Sequence, residues 1–125
     1  MKSIVVLVVL VAAASTVWAE AVRVCYNYGC LAEAAAEFDE PQLQRVSSRL
    51  AAADDAADER AALSVVVGWL LGWAGQQTPI GSDRGGNYAD EAVYGRMDCI
   101  DHSTTTTRLL RLIERRGWLR FHRVL

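Results

Sequence analysis

The sequence predicts a small α+β domain, mostly helical, with one or two short strands. Three observations carry that expectation. Leu43, Val46 and Leu50 recur at spacings of three and four over residues 41–52, which places them on one face of a helix. The stretches "AVRVCYNYGC" (21–30) and "WLRFHRV" (118–124) are rich in β-branched and aromatic residues, the composition of short strands. Between them lies a strong helix signal that begins at Asp98 and stops at Gly117.

The chain opens with Lys2 and an apolar run from Ile4 to Ala14, after which Val17-Trp18-Ala19 offers small residues where a signal peptidase reads. The run is well short of the roughly 20 residues needed to span a bilayer, so residues 1–19 read as a secretory signal peptide. The expected location is periplasmic or secreted, with no stable membrane anchor after cleavage. Residues 20–125 then suffice for one domain.

The first strand is expected to end at a turn around Gly29. "LAEAAAEF" (31–38) is alanine-rich, so propensity favours helix there, with a short edge strand as the alternative. Asp39-Glu40-Pro41 reads as a helix start, because proline is tolerated in the first turn. The acidic stretch "ADDAADERAA" (53–62) opens a second helix, capped by Asp54 or Asp55, with its acids, Glu59 among them, suited to the first turn. Its apolar stretch from Leu63 to Ala74 describes burial on most sides. Trp69 and Trp73 lie one turn apart; core filling is the expected role and a sugar-stacking platform the alternative.

Residues 78–95 form a long loop carrying four of the nine glycines. Gly85-Gly86 lacks the spacing and the lysine of a phosphate-binding loop. The last helix takes Asp98 as N-cap and Asp101 as the reciprocal partner of a capping box. Leu109, Leu112 and Ile113 form its apolar face.

Charge is unevenly placed. Residues 20–101 hold 6 Arg against 14 acids, whereas residues 102–125 hold 6 Arg against Glu114 alone. Arg108, Arg111, Arg115 and Arg116 lie toward the end of a helix, where positive charge suits the dipole. They read as a solvated or salt-bridged face, and no motif points to a nucleic-acid partner. The sequence names no other partner.

Three cysteines in an exported chain leave one thiol over if one disulfide forms. A Cys25–Cys30 bridge leaves Cys99 free, whereas a bridge from either to Cys99 pins the first strand to the last helix. A metal alternative also stands: Cys25, Cys30, Cys99 and His102 supply three thiols and an imidazole, a tetrahedral zinc set; otherwise no cofactor is expected. Cys99 falls at the first helical position, where backbone N–H groups and the dipole favour a thiolate, while Asp98 and Asp101 oppose it if they point inward. His102 shares the helix face and is a candidate base, or else an ordinary first-turn histidine. His122 alternates with Trp118 and Arg120 and reads as a sheet-surface residue.

The segment "MDCIDHSTTTTRLLRLIERRGWLRFHRV" resembles the cysteine-bearing helix of the transglutaminase-like, papain-related superfamily, with Asp98, Cys99, Ile100 and Asp101 matching its Asp-Cys-x-Asp run. It also looks like small exported bacterial proteins that bring no activity with them. The superfamily resemblance implies that Cys99 is the nucleophile toward an amide or ester carbonyl. It also implies that a histidine base and an orienting Asp or Asn lie on strands after the one that follows the cysteine helix. The 125 residues stop before such strands, so the expectation is an incomplete transglutaminase-like fold, truncated at its C-terminus and non-catalytic as it stands. A thiol-dependent hydrolase or acyltransferase fragment, and a disulfide- or zinc-stabilised binding domain, remain the alternatives.

Overall fold

A computed structural model describes residues 19–88 and 90–125. The apolar segment read as a signal peptide therefore lies outside the described residues. Strands β1 (Glu20–Tyr26) and β2 (Ala32–Phe38) form an antiparallel two-stranded sheet. Helices α1 (Glu40–Ala51) and α2 (Ala56–Gln77) follow, then a single 3-10 turn (Pro79–Ser82) and α3 (Cys99–Arg115). The fold is the expected α+β class.

In the sheet, Val22 faces Ala36, Val24 faces Ala34 and Tyr26 faces Ala32. The helix expected from the alanines of 31–38 is thus a strand instead. Ala36 and Phe38 are fully buried while Ala35 and Glu37 are exposed, the alternation that a half-buried strand needs. Pairing and burial outweigh the weak alanine preference, a tertiary override of local propensity.

The first and last helices follow their sequence signals closely. Asp39 caps α1 in a reciprocal box with Gln42, and Leu43, Val46 and Leu50 are its buried residues. Asp98 and Asp101 form the same device on α3, whose Leu109, Leu112 and Ile113 are buried. Gly117 adopts a φ of 72° just past α3, the left-handed conformation that ends helices. Phe38, Leu43, Leu50, Leu70, Leu109, Leu112 and Ile113 are the large side chains at the centre of the core.

Two further expectations are corrected. Helix α2 is not buried on most sides: Glu59, Ala62, Val66, Leu70 and Ala74 form one buried stripe. Val65, Val67 and Leu71 are half-buried and Gly68 and Gly72 exposed, because so small a fold has too few elements to surround a 22-residue helix. Trp69 and Trp73 pack at the core edge, and the Arg45 guanidinium lies 4.4 Å from the Trp69 ring centroid, covering that face. Among the described residues no helix is long and apolar enough to cross a membrane.

The second correction concerns residues 118–125, which form no strand. Four of their backbone donors go to side-chain carboxylates, while the Trp118 N–H donates to the Ile113 carbonyl at 3.3 Å. Glu59 accepts from the N–H groups of Arg120 at 2.7 Å, Phe121 at 3.0 Å and His122 at 2.8 Å, and Glu114 accepts from Val124 at 2.8 Å. A buried carboxylate thus satisfies donors that a sheet would otherwise have to satisfy.

Candidate functional site at the start of α3

The hairpin connection is unusual. Asn27, Tyr28, Gly29 and Cys30 have φ values of 66°, 67°, 60° and 56°, four successive residues in the left-handed region. Three of them are not glycine, and each pays about 1–2 kcal/mol for that conformation. Successive left-handed residues turn their N–H groups toward one side, which makes a concave set of donors suited to an anion.

The acids flanking Cys99 fill that role. Asp98 accepts from the N–H groups of Ile100 at 3.0 Å and Asp101 at 2.9 Å, which caps α3, and from Gly29 at 3.0 Å. Asp101, fully buried, accepts from Asp98 at 3.1 Å, Tyr28 at 2.9 Å and Cys30 at 2.7 Å. Burial raises the Asp98 carboxyl, but the N–H groups of Asp101, Gly29 and Ile100 outweigh it and hold its pKa below the ordinary carboxylate value. Two further bonds seat the loop: Asn27 N–H donates to the Arg96 carbonyl at 2.7 Å, and Gly95 N–H to the Asn27 side chain at 2.9 Å. A side chain at Gly95, whose φ is 96°, would collide with the Pro79 carbonyl.

A Cys25–Cys30 disulfide closes the loop, one of the pairings open from the sequence. Cys25 N–H donates to the buried Thr105 hydroxyl at 2.9 Å, tying β1 to the middle of α3. Tyr28 lies beneath the Arg96 guanidinium, 4.7 Å from its ring centroid, and its hydroxyl donates to Asp90. That hydrogen bond, with burial and the Asp90 charge, pushes the Tyr28 pKa up to about 12.

Cys99 is the free cysteine and is exposed, at the first position of α3. It borders a cleft of about 440 Å³ together with Asp83, Tyr88, Met97, Asp98 and His102. A second cleft of about 480 Å³, lined by Leu71, Gly72, Ile80 and others, shares Asp83, Met97 and His102 with it. His102 lies on the same side as Cys99, but its Nε2 pairs with Asp83 Oδ2 at 3.0 Å, and Asp83 also accepts from Met97 N–H at 2.7 Å. No hydrogen bond joins His102 to the Cys99 sulfur among the described residues. The structure thus brings Cys99, His102 and Asp83 to one cleft without assembling a nucleophile–base pair.

The four-member zinc set is not brought together. The donor group that contains Cys25 and Cys30 includes Asp101 and neither Cys99 nor His102. Its two sulfurs are bonded to each other, and both Asp101 oxygens already accept N–H groups.

His122 is also placed differently from its expected sheet surface. Its Nδ1 lies 2.9 Å from Glu59 Oε1, and Glu59 is fully buried. Burial raises the Glu59 carboxyl, yet the Arg120 N–H, the His122 side chain and the N–H groups of Phe121 and His122 lower it further, leaving its pKa below the ordinary value. Sequence reasoning saw in Glu59 only an acid in a first helical turn. The usable signal was its position among Ala62, Val66 and Leu70 on the buried stripe.

The protein-family models, the curated proteins and the solved structures contain no match to this chain.

Proposed function

We propose that this chain is an exported, disulfide-clamped domain of transglutaminase-like descent, which carries Cys99 as a thiol nucleophile but does not complete a catalytic site by itself. The observation that supports this reading best is the sorting of the three thiols. Cys25 and Cys30 are consumed in the loop, whereas Cys99 stands exposed at a helix start beside a cleft. The flanking carboxylates face the hairpin loop and the helix cap rather than standing free. An intrachain disulfide fits an oxidising, exported setting.

The chemistry open to such a thiol is a single acyl transfer. The sulfur attacks an activated ester carbonyl, the S–C bond forms, the bond to the leaving group breaks, and the thiol proton passes to solvent. Without a base held against the thioester to activate water, the acyl group stays on Cys99. No cofactor enters this step.

Incubation of the mature, oxidised protein with p-nitrophenyl acetate tests it. The expected result is one equivalent of nitrophenolate per chain, no further turnover, and an acetyl group on the Cys99 peptide that Cys99→Ala abolishes. Continued turnover lost in Cys99→Ala would show a complete enzyme. Absence of acetyl from Cys99 would remove the nucleophile altogether.

A further inference from the structure

A groove runs along the outward side of α3 in two adjoining bays. The first, about 340 Å³, is lined by Ser103, Thr104, Thr107, Arg108 and Arg111. The second, about 280 Å³, lies between α3 and β1 and is lined by Ala21, Val22, Arg23, Arg108, Arg111 and Arg115. Arg108 and Arg111 border both, so the bays form one strip. From Ser103 to Arg115 the strip covers roughly 18 Å of helix at 1.5 Å per residue.

Its positive charge is only partly neutralised. Glu33 accepts from Arg23 at 2.6 Å and Arg108 at 2.9 Å; Glu20 accepts from Arg116 at 2.9 Å and Arg115 at 3.5 Å. Arg111 pairs with no side-chain carboxylate among the described residues and donates to the Leu125 carbonyl at 3.4 Å. Four guanidiniums, those of Arg23, Arg108, Arg111 and Arg115, line the strip against the carboxylates of Glu33 and Glu20, which leaves two positive charges over among these side chains. The Arg23 and Arg115 side chains are 63% and 60% exposed, so their remaining donors are open to solvent.

We infer that this strip binds an extended, soluble polyanion bearing phosphate groups, held by Arg23, Arg108, Arg111 and Arg115. Guanidinium forks and hydroxyls together suit an anion rich in acceptor oxygens, which phosphate is. Two bays in line suit a ligand with repeated charges rather than a single ion. The acid-rich stretch outside the strip, 11 acids against 5 Arg over residues 39–101, repels such a ligand elsewhere and steers it here. No aromatic ring lines either bay, so the strip lacks the stacking surface that single-stranded nucleic acid uses. The inference is independent of the role given to Cys99.

Titration of the full chain with short-chain inorganic polyphosphate tests it, followed by calorimetry at several salt concentrations. The expected result is binding that weakens steeply as salt rises. Arg111→Ala should weaken it about tenfold, the loss of one charge-assisted contact, and Arg111→Glu should weaken it further. Arg60→Ala, an exposed arginine of α2 outside the groove, should leave it unchanged. Arg111 is itself exposed, so circular dichroism of both variants should match that of the parent chain. Equal losses in Arg60→Ala and Arg111→Ala, or no binding at low salt, would overturn the proposal. Tighter binding of a single-stranded oligonucleotide or of phosphatidylglycerol vesicles would overturn it in favour of a different partner.

Discussion

At the start of α3, Asp98 and Asp101 share six backbone N–H donors, three of them from the left-handed loop. Near the start of α2, Glu59 alone accepts from three successive N–H groups of Arg120–His122 and from the His122 ring. Both devices hold an irregular segment against a helix with a carboxylate in place of a sheet. They differ in how the dependence is distributed. The loop has two acids, a disulfide and the Asn27 contacts to keep it in place. Through the segment Arg120–His122, all three backbone N–H groups go to one buried side chain, and the Arg120 guanidinium adds a contact to the Ala53 carbonyl. A fold can therefore leave regular structure twice, at very different risk.

The sharpest way to break the comparison is at Glu59. Glu59→Ala leaves three partly buried backbone donors without their acceptor and should cost about 3 kcal/mol by denaturant unfolding, with fast amide exchange across 118–125. Acid adds a second reading of the same residue. Because the folded Glu59 pKa lies below its ordinary value, its stabilisation is fully present above that ordinary value and is lost as pH falls through the folded one. Glu59→Gln should therefore show a shallower loss of stability in acid than the parent protein.

The loop should be more forgiving. Asp101→Ala in the oxidised protein should cost about 2 kcal/mol, since unsatisfied buried donors cost about 1–3 kcal/mol. The Cys25→Ser/Cys30→Ser pair should cost a similar amount, about 2 kcal/mol for so short a closed loop. If the disulfide backs the carboxylates, the combined variant departs from the sum of the two by more than about 0.5 kcal/mol. Additive losses would mean that the two restraints act independently.

The smallest effect is alkaline. The Tyr28 hydroxyl contributes stability that is fully present below its ordinary pKa and is lost as pH rises toward about 12. Tyr28→Phe should flatten the unfolding midpoint across that range, and an unchanged alkaline limb would remove Asp90 as the cause.

What the sequence revealed and what it concealed follow the same division. The capping box of Asp98 with Asp101 acts over three residues and was legible, as were the helix start at Asp39 and the stripes of α1 and α3, whereas Gln42 as the reciprocal partner of Asp39 was not singled out. The place of Cys99 at the first position of α3 followed from the Asp98 cap; its exposure did not. β2 was concealed because "LAEAAAEF" is locally ambiguous, and because four left-handed residues with a single glycine are not a familiar hairpin turn. The second task of Asp98 and Asp101, gripping residues about 70 positions earlier, has no local signature. Nor has the partnership of Glu59 with His122, 63 residues apart. Alternation in "WLRFHRV" suggested a strand because its period was right, yet no partner strand lies beside it among the described residues.

The most direct measurement of the role given to Cys99 is differential alkylation of the oxidised protein with mass-spectrometric mapping of all three thiols. The predicted result is that Cys99 alone is alkylated before reduction, with Cys25 and Cys30 appearing as a bonded pair that reacts only after it. Finding Cys99 already bridged to Cys25 or Cys30 would contradict the proposal, and would make "DCIDH" a crosslinked helix start with no nucleophile to offer.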